Sequence, residues 1–196
     1  LFAQFLVKAA HDPDDDDEGG DGGDWLVPGW IPKNQLTVLY ADGGTLKSYF
    51  CLALAVAGLT GSAIGTLPGV SVVSPWAVGP LKTVAYFDWE MDAHAHATRL
   101  WGLGTPLGIN VNQRIIYKRL RRPFAECQGE IAQVINKHQA DLSVFDSFTV
   151  GCGAEPESAD AANRMLVPVG HLPGTKVVLA HISRQSSYAT NGAVPP

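Results

Sequence analysis

Apolar residues in this chain come in short runs, and the runs follow two different periods. Leu36–Tyr40 (LTVLY), Thr83–Asp88 (TVAYFD), Asp141–Thr149 (DLSVFDSFT) and Thr175–Ala180 (TKVVLA) are apolar nearly throughout. They are rich in β-branched and aromatic residues, the pattern of strands buried on both faces. A further strand is expected at RIIYK, within the run that leads from Ile109 to Tyr117 and beyond. Between the strands lie helical patterns over Ser48–Leu59, Ala93–Leu103, Glu126–Lys137 and Asp160–Leu172, the last with a break near Pro168. In Glu126–Lys137 the spacing turns Cys127, Ile131, Val134 and Ile135 inward, and Gly58 is the expected C-cap of the first helix. Strand–helix alternation of this kind predicts an α/β fold: a mostly parallel sheet with helices on both faces.

The segments outside this alternation divide the chain into four parts. Leu1–Ala10 (LFAQFLVKAA) reads as a short amphipathic helix with Leu1, Phe2, Phe5 and Leu6 on one side; it either docks on a neighbouring subunit as an oligomerisation arm or folds back on its own domain. His11–Asp24 (HDPDDDDEGGDGGD) is an acidic, glycine-rich linker. The domain proper is expected over 25–185, entered through Trp25–Gln35 with Trp25 and Trp30 as anchors. Ser186–Pro196 is an irregular tail.

The candidate chemistry sits at the ends of the strands. Leu36–Tyr40 runs into ADGGTLKS, residues 41–48. The phosphate-cradling signature is G-x-x-x-x-G-K-[ST] between a strand and a helix. Lys47 and Ser48 conform to it, while Ala41 and Leu46 stand in place of its glycines. Gly43 and Gly44 can take positive φ, so that backbone N–H groups point into one concavity closed by the helix N-terminus. Leu46 in a left-handed conformation would cost about 1–2 kcal/mol; a helical φ would remove that cost. Thr83–Asp88 leads to Glu90, either a carboxylate that orients water against a γ-phosphate or a surface glutamate capping the next helix. Asp146 ends its strand as the acid of a magnesium site that Ser48 completes. His181 follows the last strand, one strand over from Asp146, placed to sense a γ-phosphate. His94 and His96, two apart on a helix, do not share a face, so no metal site is expected there.

Composition narrows the classes. Apolar residues are 46% and charged residues 17% of the 196, a globular balance. A net charge of −5 excludes coating nucleic acid by bulk charge. The basic cluster Lys118–Arg122 is either a patch for nucleic-acid phosphates or an acidic partner, or a solvated loop. Cys51, Cys127 and Cys152 form no CxxC, which fits a reducing compartment and no zinc site. The expected location is therefore cytoplasmic, with no membrane contact, since no apolar run reaches 18 residues. The start lacks the basic region and long apolar core of a signal peptide. It also lacks an initiator Met, as expected of a segment from a longer chain.

ADGGTLKS after a strand, then VAYFDWEMD, DLSVFDSFT and VVLAHISRQ, in that order and spacing, resembles the RecA-like P-loop ATPases. More narrowly the set is similar to the RepA-type hexameric helicase branch and its phage and plasmid AAA-type relatives. The resemblance covers roughly 25–185. It implies binding and hydrolysis of ATP with Mg²⁺ at a subunit interface, in a homo-oligomeric ring or filament, a hexamer among them, acting on single-stranded DNA in replication or recombination. It assigns Gly43, Gly44, Thr45, Lys47 and Ser48 to phosphates and Mg²⁺, with Asp42, Leu46 and Tyr49 completing the nucleotide-binding set. Glu90 becomes the catalytic carboxylate, Asp146 the Mg²⁺-side acid and His181 the γ-phosphate sensor. Arg184 becomes a residue acting on a neighbour's nucleotide. The loops after Asp146 and His181 carry no Lys, which weighs against translocation on DNA more than against hydrolysis. A nucleotide-binding assembly or helicase-loader module with little or no hydrolysis stays open beside the motor, and a P-loop small-molecule kinase is the third reading.

Overall fold

In the computed structural model, residues 6–9, 24–41, 46–67, 76–104, 113–156 and 158–181 are described. The apolar runs become strands β1 (Leu6–Ala9), β2 (Trp25–Val27), β3 (Ile31–Pro32), β4 (Leu36–Ala41), β5 (Val84–Asp88), β6 (Ile115–Arg119), β7 (Leu142–Asp146) and β8 (Thr175–His181). β2 and β3 form a small antiparallel hairpin. The others form one sheet in the order β1-β4-β8-β7-β5-β6. β4, β8, β7, β5 and β6 run parallel, and β1 is antiparallel to β4 at the edge.

Both faces of the parallel strands are covered, which is why their sequences read as apolar throughout. On one face Leu39, Val84, Tyr86, Val144, Val177 and Leu179 pack against α1 (Lys47–Thr60) and α2 (Ala93–Gly104). On the other, Ala85, Phe87, Phe145 and Val178 pack against α3 (Phe124–His138) and a helical stretch after residue 158. Alternate residues of one strand thus enter different cores, and Phe87 stacks on Phe145 with centroids 5.3 Å apart in the second. The helix α4 (Phe148–Gly151) follows β7 directly. The last helical stretch is α5 (Ala159–Ala161), a π-turn over Ala162–Leu166 and α6 (Val167–Gly170). The expected break near Pro168 is this π-turn: the extra residue carries the helix past a proline that donates no N–H.

Three expectations are corrected. The helix over 1–10 is not formed across Leu6–Ala9, which is β1, paired Leu6↔Tyr40 to Ala9↔Thr37. A lone turn or two of helix has little stability in water, whereas the free edge of β4 offers backbone partners. α1 does not close at Gly58 but at Gly61, whose φ is 70° and whose N–H donates to Ala57 O. Gly58 lies inside the helix, where a Cβ would come 2.6 Å from Leu81 Cδ1 and glycine gives that side chain room. Val134 is only partly buried, and α3 enters the core through Phe124, Cys127, Ile131 and Ile135. Most of the acidic linker lies outside the described residues, and so does the tail.

Candidate functional site

Strand register builds the site in two tiers. Asp88 of β5 is level with Asp146 of β7, and Asp146 is level with Leu179 of β8. One step further, two residues on, come Glu90 beyond β5 and His181 at the end of β8, the latter level with Ala41 of β4. β7 lies between β5 and β8 and stops at Asp146. Glu90 and His181 therefore meet over its end.

On the phosphate-loop side the cation is Lys47, the first residue of α1 and 5% exposed. Its Nζ donates to Ala41 O at 2.7 Å and lies 3.3 Å from His181 Nδ1. On the other side of the ring, His181 Nε2 is 3.3 Å from Glu90 Oε1. A neutral His181 with its proton on Nε2 satisfies both contacts, accepting from Lys47 and donating to Glu90. The same Glu90 oxygen accepts from the Ser147 hydroxyl. Ser147 follows Asp146 through a cis peptide bond. Lys47, His181, Glu90 and Ser147 form one continuous line across the carboxyl ends of three strands and the start of α1.

Beneath that line is Asp146, 2% exposed. Tyr86 donates its hydroxyl to Asp146 Oδ2 at 2.8 Å, and Ser48 hydrogen-bonds the same carboxylate. Burial raises the Asp146 carboxyl above the ordinary aspartate range, and the Ser48 and Tyr86 hydrogen bonds pull against that rise. Burial also drives the Tyr86 phenol well up, with Asp146 adding to it, so it stays a donor. Asp88, its neighbour in register, is pushed up to about 6, first by burial and against the N–H groups of Met91 and Glu90. Next to these tyrosines sits His96, 2% exposed, its ring 4.7 Å from Tyr86 and 4.0 Å from Tyr117. Among the described residues neither of its nitrogens finds a hydrogen-bond partner. Burial, then Arg99, lowers it to about 4, so it is neutral.

The structure thus gathers Lys47, Ser48, Glu90, Asp146 and His181. Leu46 is at the N-cap of α1 with φ 62°, ψ 23° and 71% exposed, so the left-handed conformation with its cost is the one adopted. Tyr49 is partly buried and packs against the core around α1. Asp42, Gly43, Gly44, Thr45 and Arg184 lie outside the described residues. In the basic cluster, Lys118 and Arg122 both reach Glu130, at 2.6 and 3.6 Å, while Arg119, Arg121 and Arg122 are exposed. Sequence reading passed over Tyr86, Asp88 and Ser147. Their signals are a tyrosine two residues before a strand end, a D-x-E at that end, and a hydroxyl directly after the second acid.

The Ser48 hydroxyl and Asp146 carboxylate are hard oxygen donors, the type that suits magnesium. Among the described residues no group of three or more His, Cys, Asp or Glu could hold a metal. No helix among the described residues is long and apolar enough to cross a membrane.

Comparison with known proteins bears on the family and the fold. The AAA domain family matches residues 8–186. No curated protein matches in sequence. Among solved structures, the KaiC-like protein of the hyperthermophilic archaeon Pyrococcus horikoshii OT3 is similar in fold, with a TM-score of 0.54 at 14% identity, covering 81% of this chain and 68% of that one. The five parallel strands with both faces covered fit, and the chain belongs to the AAA domain family, with the core of a RecA-like P-loop ATPase.

Proposed function

We propose that this domain hydrolyses ATP in the presence of magnesium by attack of a water that Glu90 orients. One observation carries the reading: a single line of contacts joins Lys47 to His181 to Glu90, directly above the Ser48–Asp146 pair. An ammonium, a hydroxyl and two carboxylates are what phosphoryl transfer to water needs in one place. Lys47 and the amides of the loop would stabilise charge on the transferred phosphoryl group. Ser48 and Asp146 would hold the magnesium ion, which when bound neutralises phosphate charge. Glu90, held by Ser147 and His181, would take up the proton of the attacking water. His181 touches both Lys47 and Glu90, so a phosphate drawing Lys47 away would alter the tether on Glu90; this supports its reading as the γ-phosphate sensor. Lys47→Ala should abolish turnover in a steady-state phosphate-release assay, and full activity in that variant would end the proposal.

We read the wider setting as a homo-oligomeric ring or filament acting on DNA, helicase-like, in replication or recombination. Support comes from the motif resemblance and from Arg119 and Arg121, exposed at the carboxyl end of the edge strand β6. A second reading, a nucleotide-binding assembly or loader module with little hydrolysis, is favoured by the strained, exposed Leu46 at the loop. Phosphate release with and without single-stranded DNA separates the two, and particle images with ATP distinguish ring, filament and monomer.

A further inference from the structure

Glu90 stands on a turn beyond β5, not within the strand, so its aim depends on what holds the turn. The three N–H groups of residues 89–91 and the Met91 carbonyl are all tied. Trp89 N donates to Asp146 O at 2.7 Å, and the Trp89 indole Nε1 donates to Arg122 O at 2.7 Å. Asp88 Oδ1 accepts from both Glu90 N and Met91 N at 2.8 Å. The Tyr117 hydroxyl, on the neighbouring strand β6, lies 2.9 Å from Met91 O and 3.4 Å from Asp88 Oδ2, its one proton going chiefly to the nearer carbonyl. The turn is thus gripped at its N–H groups by Asp88 and at its carbonyl by Tyr117, while the Glu90 side chain projects to Ser147 and His181.

An aspartate that only closed a turn would ordinarily keep its carboxylate in water. Asp88 is instead 0% exposed, beside the like charge of Asp146 in register. Burying a carboxylate here is costly. The cost falls at the residue that fixes the turn carrying Glu90, two positions away. The hydroxyl that assists it by holding the Met91 carbonyl comes from Tyr117, whose ring lies 6.4 Å from that of Tyr86, the tyrosine that donates to Asp146 itself.

We propose that Asp88 and Tyr117 are positioning residues for the hydrolytic step, fixing the 89–91 turn so that the Glu90 carboxylate is presented between Ser147 and His181. This rests on Glu90 being the water-orienting carboxylate. Neither residue touches the nucleotide in this assignment; both act through Glu90.

The test compares Asp88→Ala, Asp88→Asn, Tyr117→Phe and Glu90→Gln for ATP turnover and for affinity for a fluorescent ADP analogue. Asp88→Ala should lower kcat about ten- to hundredfold, the effect of a reacting group displaced by about 1 Å, with KM and ADP affinity within about twofold of wild type. Asp88→Asn keeps an acceptor for the two N–H groups and should recover kcat to within about threefold, a rescue that a loss of charge alone would not show. Tyr117→Phe should cost kcat about three- to tenfold at unchanged KM. A folded Asp88→Ala protein with wild-type kcat, or one whose loss lies wholly in KM, overturns the proposal while an inactive Glu90→Gln leaves the base assignment standing. Glu90→Gln at full rate overturns both. If Asp88→Ala does not fold, Tyr117→Phe decides: a lowered kcat at constant KM supports the proposal and an unchanged kcat overturns it.

Discussion

The two tiers of the site differ by one step along the strands and behave as different chemical environments. In the lower tier Asp88 and Asp146 are buried, each approached by a tyrosine hydroxyl, and burial pushes both carboxyls upward. In the upper tier the Glu90 and His181 side chains are 38% and 33% exposed, Glu90 held by Ser147 and His181 and His181 by Lys47 and Glu90. A carboxylate enclosed by fixed donors cannot exchange its partners, which suits a group that holds or positions. A carboxylate at the solvent margin can meet a water, which suits a base. A sequence can place both kinds of acid at one strand end by setting one as the last strand residue and the other on the turn that follows, as Asp88 and Glu90 are.

The largest effect should come from breaking the upper tier. Glu90→Gln should cut turnover about 10²- to 10⁴-fold while nucleotide binding persists, measured by phosphate release against analogue affinity; unchanged turnover would strip Glu90 of its role. The lower tier should answer differently. Asp146→Asn should raise the magnesium concentration for half-maximal turnover about ten- to hundredfold, a shift that Glu90→Gln should not show. An equal shift in both variants would erase the distinction between tiers.

Protonation sharpens the contrast through stability. Asp88 has a folded pKa raised from 3.8 to about 6, so the folded state holds the extra proton between those values. Stability from this group is present below about pH 4 and lost as pH rises through about 6. Asp88→Asn should therefore gain on wild type by about 3 kcal/mol between pH 4 and pH 7 in denaturant melts. His96 has the opposite sign: lowered from 6.5 to about 4, it contributes stability above pH 6.5 that is lost as pH falls through 4. His96→Phe should flatten that acid loss by a similar amount, and parallel curves for wild type and variant would contradict the buried neutral ring. The smallest effect is at the loop. Leu46→Gly should relieve the φ of 62° and, less the added chain entropy, stabilise the domain by about 1 kcal/mol, raising Tm by a few degrees. A lower Tm would mean that the leucine side chain makes a contact worth more than its strain.

Much of this was legible in the sequence because strands buried on both faces announce themselves as apolar runs, and polar residues at their ends stand out. Lys47, Ser48, Glu90, Asp146 and His181 were found that way. Asp88 and Tyr86 were not, since inside an apolar run a tyrosine reads as core and an aspartate as its terminator. Which of two acids two apart becomes the buried one depends on register with β7, a long-range pairing that no local pattern encodes. His96 was read only for metal spacing; its wedge between Tyr86 and Tyr117 comes from α2 packing on β5 and β6. The segment 1–10 misled because its apolar spacing suits either period, and the open edge of β4 decided for strand.

That edge has a practical meaning. β4 carries the phosphate loop on its end, and β1 is the rail bolted alongside it. Trimming the chain ahead of residue 10, or fusing a bulky tag there, should bare a row of unpaired amides beside the loop and invite sticking between molecules, so preparations for nucleotide work should keep that short leading strand intact.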